Sequence, residues 1–197
     1  MAPACGCGPA STSAPPMAEL SAPLPAPSQG PSVELLLLRH GIAEERGGLV
    51  PDAARALTER GRERTAAVLR VLVARGFTAD RLIASPLRRA RETAELAVTA
   101  GLAPALELAE CLLPGGQALA ALPAWLEALE APARSRPRLL LVGHEPDLST
   151  LASQLIGAPP GGVALRKAGL AVLRLPRAAT PGQASLRLLL TPRLLLA

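Results

Sequence analysis

Any imidazole chemistry in this 197-residue chain must use His40 and His144, because it contains no other histidine. His40 stands in Arg39-His40-Gly41 directly behind one apolar run, and His144 follows Gly143 at the end of another. Between them, Ser85-Pro86 closes a third run and opens a stretch bearing Arg88, Arg89 and Arg91. Imidazole changes charge near neutral pH, and guanidinium is a planar fork of donors matched to phosphate or carboxylate oxygens. Taken singly these residues are ordinary. A histidine behind a strand is usually a loop residue, and three arginines in one helix usually form a solvated face. That both histidines occupy strand ends turns the reading toward a site for an anion.

Those residues can meet only if the runs before them are strands of one sheet. Short apolar runs bounded by turn residues predict strands at 33–38, 81–84, 105–108 and 138–142. Two more strands are expected at 169–175 and 184–190, joined antiparallel through the 176–182 turn region. A helix is expected from the Thr58 N-cap to the Gly76 stop, with Val68, Leu69, Leu72 and Val73 on one face. Ser85 as N-cap with Pro86 at the first helical position predicts a helix over 86–98. Further helices are expected over 117–130, interrupted by Pro123, and over 147–156. Strands alternating with helices indicate an α/β three-layer sandwich, a mainly parallel sheet flanked by helices. In such sheets ligands bind beyond the carboxyl ends of the strands, where both histidines lie.

Composition narrows the partners. Proline numbers 21, and eight of these fall within residues 1–32. That Pro/Ala/Ser segment cannot bury enough apolar surface to offset its ordering entropy, so residues 1–32 read as a disordered tail and 33–197 as one domain. Met17 inside the tail is an alternative start. Phe77 and Trp125 are the only aromatic residues, too few for a stacking platform on single-stranded nucleic acid. The net charge of +5, carried by arginine with Lys167 as the one lysine, predicts at most a weak, salt-sensitive association with nucleic acid and no specific one. No apolar run reaches the ~18 residues a membrane helix needs. The N-terminus lacks the basic and apolar regions of a signal peptide, so no membrane partner is expected and a cytoplasmic location is. The cysteines Cys5, Cys7 and Cys111 match neither a disulfide framework nor a zinc spacing, and no metal or other cofactor is expected.

Three motifs in order carry a resemblance. Arg39-His40-Gly41, then Ser85-Pro86-Leu87-Arg88-Arg89-Ala90-Arg91-Glu92-Thr93, then Gly143-His144-Glu145-Pro146, each behind a strand, resemble the histidine phosphatase superfamily with its phosphoglycerate-mutase-like fold. Within it the chain is most similar to SixA-type phosphohistidine phosphatases. Their Arg-Pro-Leu-Thr-x-x-Gly element is matched by Arg55-Ala56-Leu57-Thr58-Glu59-Arg60-Gly61, with alanine departing from proline at 56.

The resemblance implies roles. His40 would attack phosphorus as a neutral nucleophile and become transiently phosphorylated, splitting one hard displacement into two. Arg39 and Arg89 would hold the phosphoryl oxygens, Arg89 being preferred to Arg88 and Arg91 by its place in the motif. His144 would complete the pocket as a charged donor, which requires two imidazoles of separated pKa. The general acid is the open position. Glu110 is the nearest candidate, with Glu44, Glu45 and Asp147 behind it. A leaving imidazole tolerates a weak acid, which favours phosphohistidine on a protein as substrate over a small phosphomonoester such as a sugar phosphate. The short 107–116 stretch leaves little chain for a lid, which suits a phosphorylated protein and argues against a mutase. A phosphate-binding module without turnover is the alternative from another class.

Overall fold

The computed structural model describes residues 32–47, 51–130 and 136–197. The tail read at residues 1–32 lies, apart from Ser32, outside them. Strand β1 (Ser32–Arg39) leads through a short 3-10 turn at Asp52–Ala54 to α1 (Glu59–Ala74). Then come β2 (Arg81–Ala84), α2 (Arg88–Thr99), β3 (Glu107–Leu108), a second 3-10 turn at Glu110–Leu112 and α3 (Ala118–Glu127). The chain finishes with β4 (Arg138–Gly143), α4 (Asp147–Ile156), β5 (Leu170–Pro176), β6 (Ser185–Leu190) and a final turn of helix, α5 (Pro192–Leu195).

The strands form one sheet in the order β3-β2-β4-β1-β5-β6. The first three pairings are parallel and the last two antiparallel, so β5 runs against the rest. Side chains of a strand alternate between faces, and β1 divides accordingly. Val33, Leu35 and Leu37 pack with Leu122 and Leu126 of α3 and Leu148, Leu151 and Leu155 of α4. Leu36 and Leu38 pack with Val68, Leu69 and Leu72 of α1 and Ala90, Ala94 and Ala97 of α2. Both faces are covered, which is why the central strands read as continuous apolar runs. Glu34 interrupts that run without cost because Arg138 and Arg174 sit opposite it on the two neighbouring strands and pair with its carboxylate at 2.8 and 3.3 Å.

Element bounds differ from the expectation where side chains found other partners. Thr58 caps α1 as read, accepting the Gly61 N–H at 3.0 Å. Helix α2 begins at Arg88, not at 86, with Leu87 in the capping position and no side-chain cap. The Ser85 hydroxyl accepts the Leu87 N–H only at 3.4 Å and meets His144 at 2.8 Å. Strand β3 has two residues in place of the expected four, and α3 ends at Glu127 with Pro123 accommodated inside it.

Gly61 ties α1 to the segment behind β1. A Cβ there would collide with the main-chain carbonyl of Ile42, which is itself held by the Thr58 N–H at 3.0 Å. Neither group can yield, since both are backbone. Gly61→Ala is therefore expected to cost about 1–3 kcal/mol, read as a lowered thermal midpoint; an unchanged midpoint would show that the contact relaxes freely.

Candidate active site

The register of β1 on β4 sets Arg39 opposite Gly143, so the residues that follow, His40 and His144, leave the sheet side by side. The His40 N–H donates to the Gly143 carbonyl at 3.1 Å, and the two ring centroids stand 5.1 Å apart. Strand β2 is the other neighbour of β4, and its end delivers Ser85 and then the first turn of α2 to the same edge. Arg39, His40, Arg55, Arg89 and His144 line one cavity of about 520 Å³, with Glu44, Glu45, Arg46, Glu145 and Lys167 also on its wall. Helix α2 holds this edge together. Thr93 accepts the Gly41 N–H at 3.1 Å, and Glu92 accepts the Leu57 N–H at 2.8 Å while pairing with Arg62 and Arg88.

The three arginines of α2 part company here. Arg91 pairs with exposed Glu95 one turn on, as a solvated face would, while exposed Arg88 pairs with the buried Glu92. Arg89 is 1% exposed and points into the cavity wall.

Hydrogen bonds orient each group. The Gly41 carbonyl can only accept, so at 2.7 Å it takes the hydrogen of His40 Nδ1 and leaves the Nε2 lone pair as the reactive position. Arg39 donates from Nη1 to the Leu165 carbonyl at 2.9 Å, and Arg89 from Nη1 to the Asp52 carbonyl at 2.8 Å. A His144 ring with its hydrogen on Nδ1 takes the Ser85 hydroxyl hydrogen at Nε2 when neutral and returns a hydrogen to the same oxygen when charged. What remains is informative: Arg39 Nε, Arg89 Nε and His144 Nδ1 are all buried and without a partner among the described residues. Buried polar atoms are ordinarily satisfied; with Glu145 Oε1 as a fourth unpartnered atom on the same wall, the cavity carries unspent guanidinium donors of Arg39 and Arg89 beside one carboxylate oxygen.

Burial, reinforced by His144, Arg89 and Arg39, lowers the His40 pKa to about 3 despite the Gly41 carbonyl. Burial and the Arg89 charge lower that of His144 to about 4, with Asp52 pulling the other way. In the anion-free site, burial and the surrounding arginines thus favour the neutral form of both rings. Charging either one there would set it among arginines with no anion to balance them. Both folded pKa values lie below the ordinary value of 6.5. The unfolded chain therefore takes up protons first, and this contribution to stability is present above pH 6.5 and lost as pH falls through about 4 for His144 and about 3 for His40. With only two histidines, ring NMR reads this directly: neither is expected to titrate between pH 5.5 and 8. A midpoint near 6.5 for His40 would contradict its burial.

The carboxylates fall differently from the expectation. Glu110 is exposed on the 3-10 turn behind β3, the edge strand with β2 and β4 between it and β1, and is not part of the cavity wall. Asp147 accepts the Gly115 N–H at 3.0 Å and lines a different groove beside α3. Glu44 and Glu45 do reach the cavity, but Glu44 is engaged by the Ala56 N–H at 3.0 Å. Among the lining or adjoining residues not anticipated as site residues are Arg55, Glu145 and Asp52, with Arg46 and Lys167 at the wall. Burial pushes the Glu145 carboxyl up, while the Ser149 hydroxyl donates to it. Asp52 pairs with Arg46, Arg55 and Arg89. The Asp52-x-x-Arg55 spacing was the available signal, but nothing local tied it to Arg89, 37 positions away.

Residues 35–112 match the sequence pattern of the histidine phosphatase superfamily (branch 1). The chain belongs to that superfamily. An uncharacterized protein of Picosynechococcus is 40% identical over 143 residues, covering 72% of this chain and 85% of that protein. Among solved structures, the protein histidine phosphatase SixA complexed with tungstate superposes with a TM-score of 0.69 at 21% identity, over 82% of this chain and 98% of that one. A candidate phosphohistidine phosphatase SixA from Nakamurella multipartitia gives 0.61 at 25% identity, over 82% and 96%. A mycobacterial glucosyl-3-phosphoglycerate phosphatase gives 0.64 at 17% identity, over 81% and 99%. The fold of this histidine phosphatase superfamily member is therefore shared with solved proteins of different substrate descriptions. No described helix is long and apolar enough to cross a membrane.

Proposed function

We propose that this protein is a phosphatase that works through a phosphohistidine formed on His40, and that its substrate is phosphohistidine carried by another protein. One observation carries the mechanism: Arg39 Nε, Arg89 Nε and His144 Nδ1 are buried and unpartnered around the cavity that holds the His40 ring. A phosphoryl group supplies three equatorial oxygens that need such donors, most of all as charge spreads over them during transfer. The Nε2 lone pair of His40 attacks phosphorus, and the bond from phosphorus to the leaving nitrogen breaks. Water then attacks the same phosphorus from the face the leaving group has left. The P–Nε2 bond breaks, inorganic phosphate departs, and the hydrogen on Nδ1 has stayed there throughout, donated to the Gly41 carbonyl.

The leaving group argues for the substrate. An imidazole departs more readily than an alkoxide, and more so when protonated, so it asks little of a general acid. Glu110, the acid expected from sequence, stands outside the cavity wall and Glu44 is held by a backbone amide, which leaves Glu45 and Glu145 as the remaining wall carboxyls and suits an easily expelled leaving group. The likeness in fold to a protein histidine phosphatase SixA adds support. The test compares kcat/KM on a phosphohistidine-bearing protein, on phosphoramidate and on a panel of sugar phosphates. The phosphohistidine protein is expected to lead by at least tenfold. A sugar phosphate in first place would overturn the substrate assignment and leave the His40 mechanism standing. Phosphate or vanadate binding with no turnover of any substrate would make the chain a binding module.

A further inference from the structure

Arg89 depends on a residue that the three motifs do not contain. A guanidinium has five N–H donors in one plane. Two of them share the end of the fork, on Nη1 and Nη2, while Nε and Nη2 share its side. Asp52 grips the end: its main-chain carbonyl accepts from Nη1 at 2.8 Å and its carboxylate Oδ2 from Nη2 at 3.1 Å. The Nε position is left buried and unpartnered. The other carboxylate oxygen, Oδ1, takes the side of the Arg55 fork, with Nε at 2.9 Å and Nη2 at 2.8 Å. Arg55 in turn donates from Nη1 to the Glu44 carbonyl at 2.5 Å, and Arg46 approaches Oδ1 at 3.4 Å from outside. One carboxylate thus locks two buried guanidiniums at a fixed angle on a cavity wall.

We infer that Asp52 is a positioning residue for phosphoryl transfer, holding the end of the Arg89 fork so that its Nε side is presented, already oriented, to the phosphoryl oxygens. This rests on the phosphatase reading above. A different role is available to a carboxylate in an anion site: it could occupy the place of the phosphoryl group and compete with it. The geometry separates the two. Asp52 takes the end of the fork and leaves Nε without a partner, and part of its grip comes from its own backbone, which a competitor would not supply. Bidentate recognition of an oxyanion by the side of the fork needs the guanidinium plane fixed, and a displacement of about 1 Å in such a group can cost ~100-fold in rate. Half of the Asp52 side chain is exposed, so substitution there opens no core cavity.

The two roles predict opposite results for Asp52→Asn, measured on the full chain with phosphoramidate as substrate and orthovanadate as inhibitor. If Asp52 positions Arg89, kcat falls at least tenfold while KM moves less than threefold, because losing a negative charge favours anion binding as misalignment opposes it. The vanadate inhibition constant rises at least tenfold in parallel. Asp52→Glu, which keeps the charge on a longer arm, recovers at least threefold of the lost kcat. Thermal midpoints within a few degrees of wild type separate this from loss of folding. A kcat within twofold of wild type, or tighter vanadate binding by Asp52→Asn, overturns the inference while the phosphatase reading survives. A wild-type chain that neither hydrolyses phosphoramidate nor binds vanadate overturns both.

Discussion

Replacement of His40 by alanine is expected to lower kcat by at least about 10⁴-fold, the scale on which removal of a covalent nucleophile acts. It should also abolish covalent phosphate capture. Wild-type protein incubated with a phosphate donor and quenched in alkali should retain acid-labile phosphate on the chain, and His40→Ala should retain none. The reason is structural. The Gly41 carbonyl fixes the ring hydrogen on Nδ1, and burial with the surrounding positive charges lowers the His40 pKa to about 3, so Nε2 is a free lone pair at any working pH. His144, the only other imidazole, has its Nε2 engaged by Ser85 at 2.8 Å. Retention of acid-labile phosphate by His40→Ala would remove His40 from the centre of the mechanism.

The second largest effect is expected at Arg89. Arg89→Lys keeps a positive charge but replaces the planar fork with a point charge. The lysine can no longer span from Asp52 to the phosphoryl oxygens. Loss of one preorganised donor of this kind costs about 10²–10³ in kcat. The same substitution at its neighbour Arg88, whose exposed side chain pairs with Glu92, should change kcat/KM less than twofold. Measuring kcat/KM and vanadate inhibition for both variants checks the contrast. Equal behaviour of the two would mean that the burial of Arg89 has no catalytic consequence. Because Arg89 is 1% exposed and paired with Asp52, its thermal midpoint should be followed alongside.

How much of this could be read before folding is a matter of distance along the chain. The strands were readable because a strand buried on both faces is written as consecutive apolar residues, as at Leu35 to Leu38. The Thr58 cap and helix α4 were readable because capping and helical periodicity act within a few residues. Ser85 misled for the same reason. A serine before a proline is a local signal for a helix start, and only the folded chain shows that His144, 59 residues away, takes its hydroxyl. Glu110 attracted notice by its closeness in sequence to the second motif, yet β3 carries it to the far edge of the sheet.

The sequence by itself determined the α/β class, the strand ends at which His40 and His144 stand, and the motif that sets Arg89 apart from Arg88 and Arg91. The first two follow from patterns within a few residues, and the third from the resemblance of that motif to the superfamily's. Only the tertiary structure decided which donors are spoken for and which are left without a partner: Nδ1 of His40 on the Gly41 carbonyl, the end of Arg89 on Asp52, and the buried, unpartnered Nε and Nδ1 atoms of the residues that line the cavity. Hydrogen-bond partners and burial depend on groups brought together across tens of residues, and so does the protonation of both imidazoles. A site is prepared for a phosphoryl group by what its donors are prevented from doing, and that is settled only when the sheet has assembled.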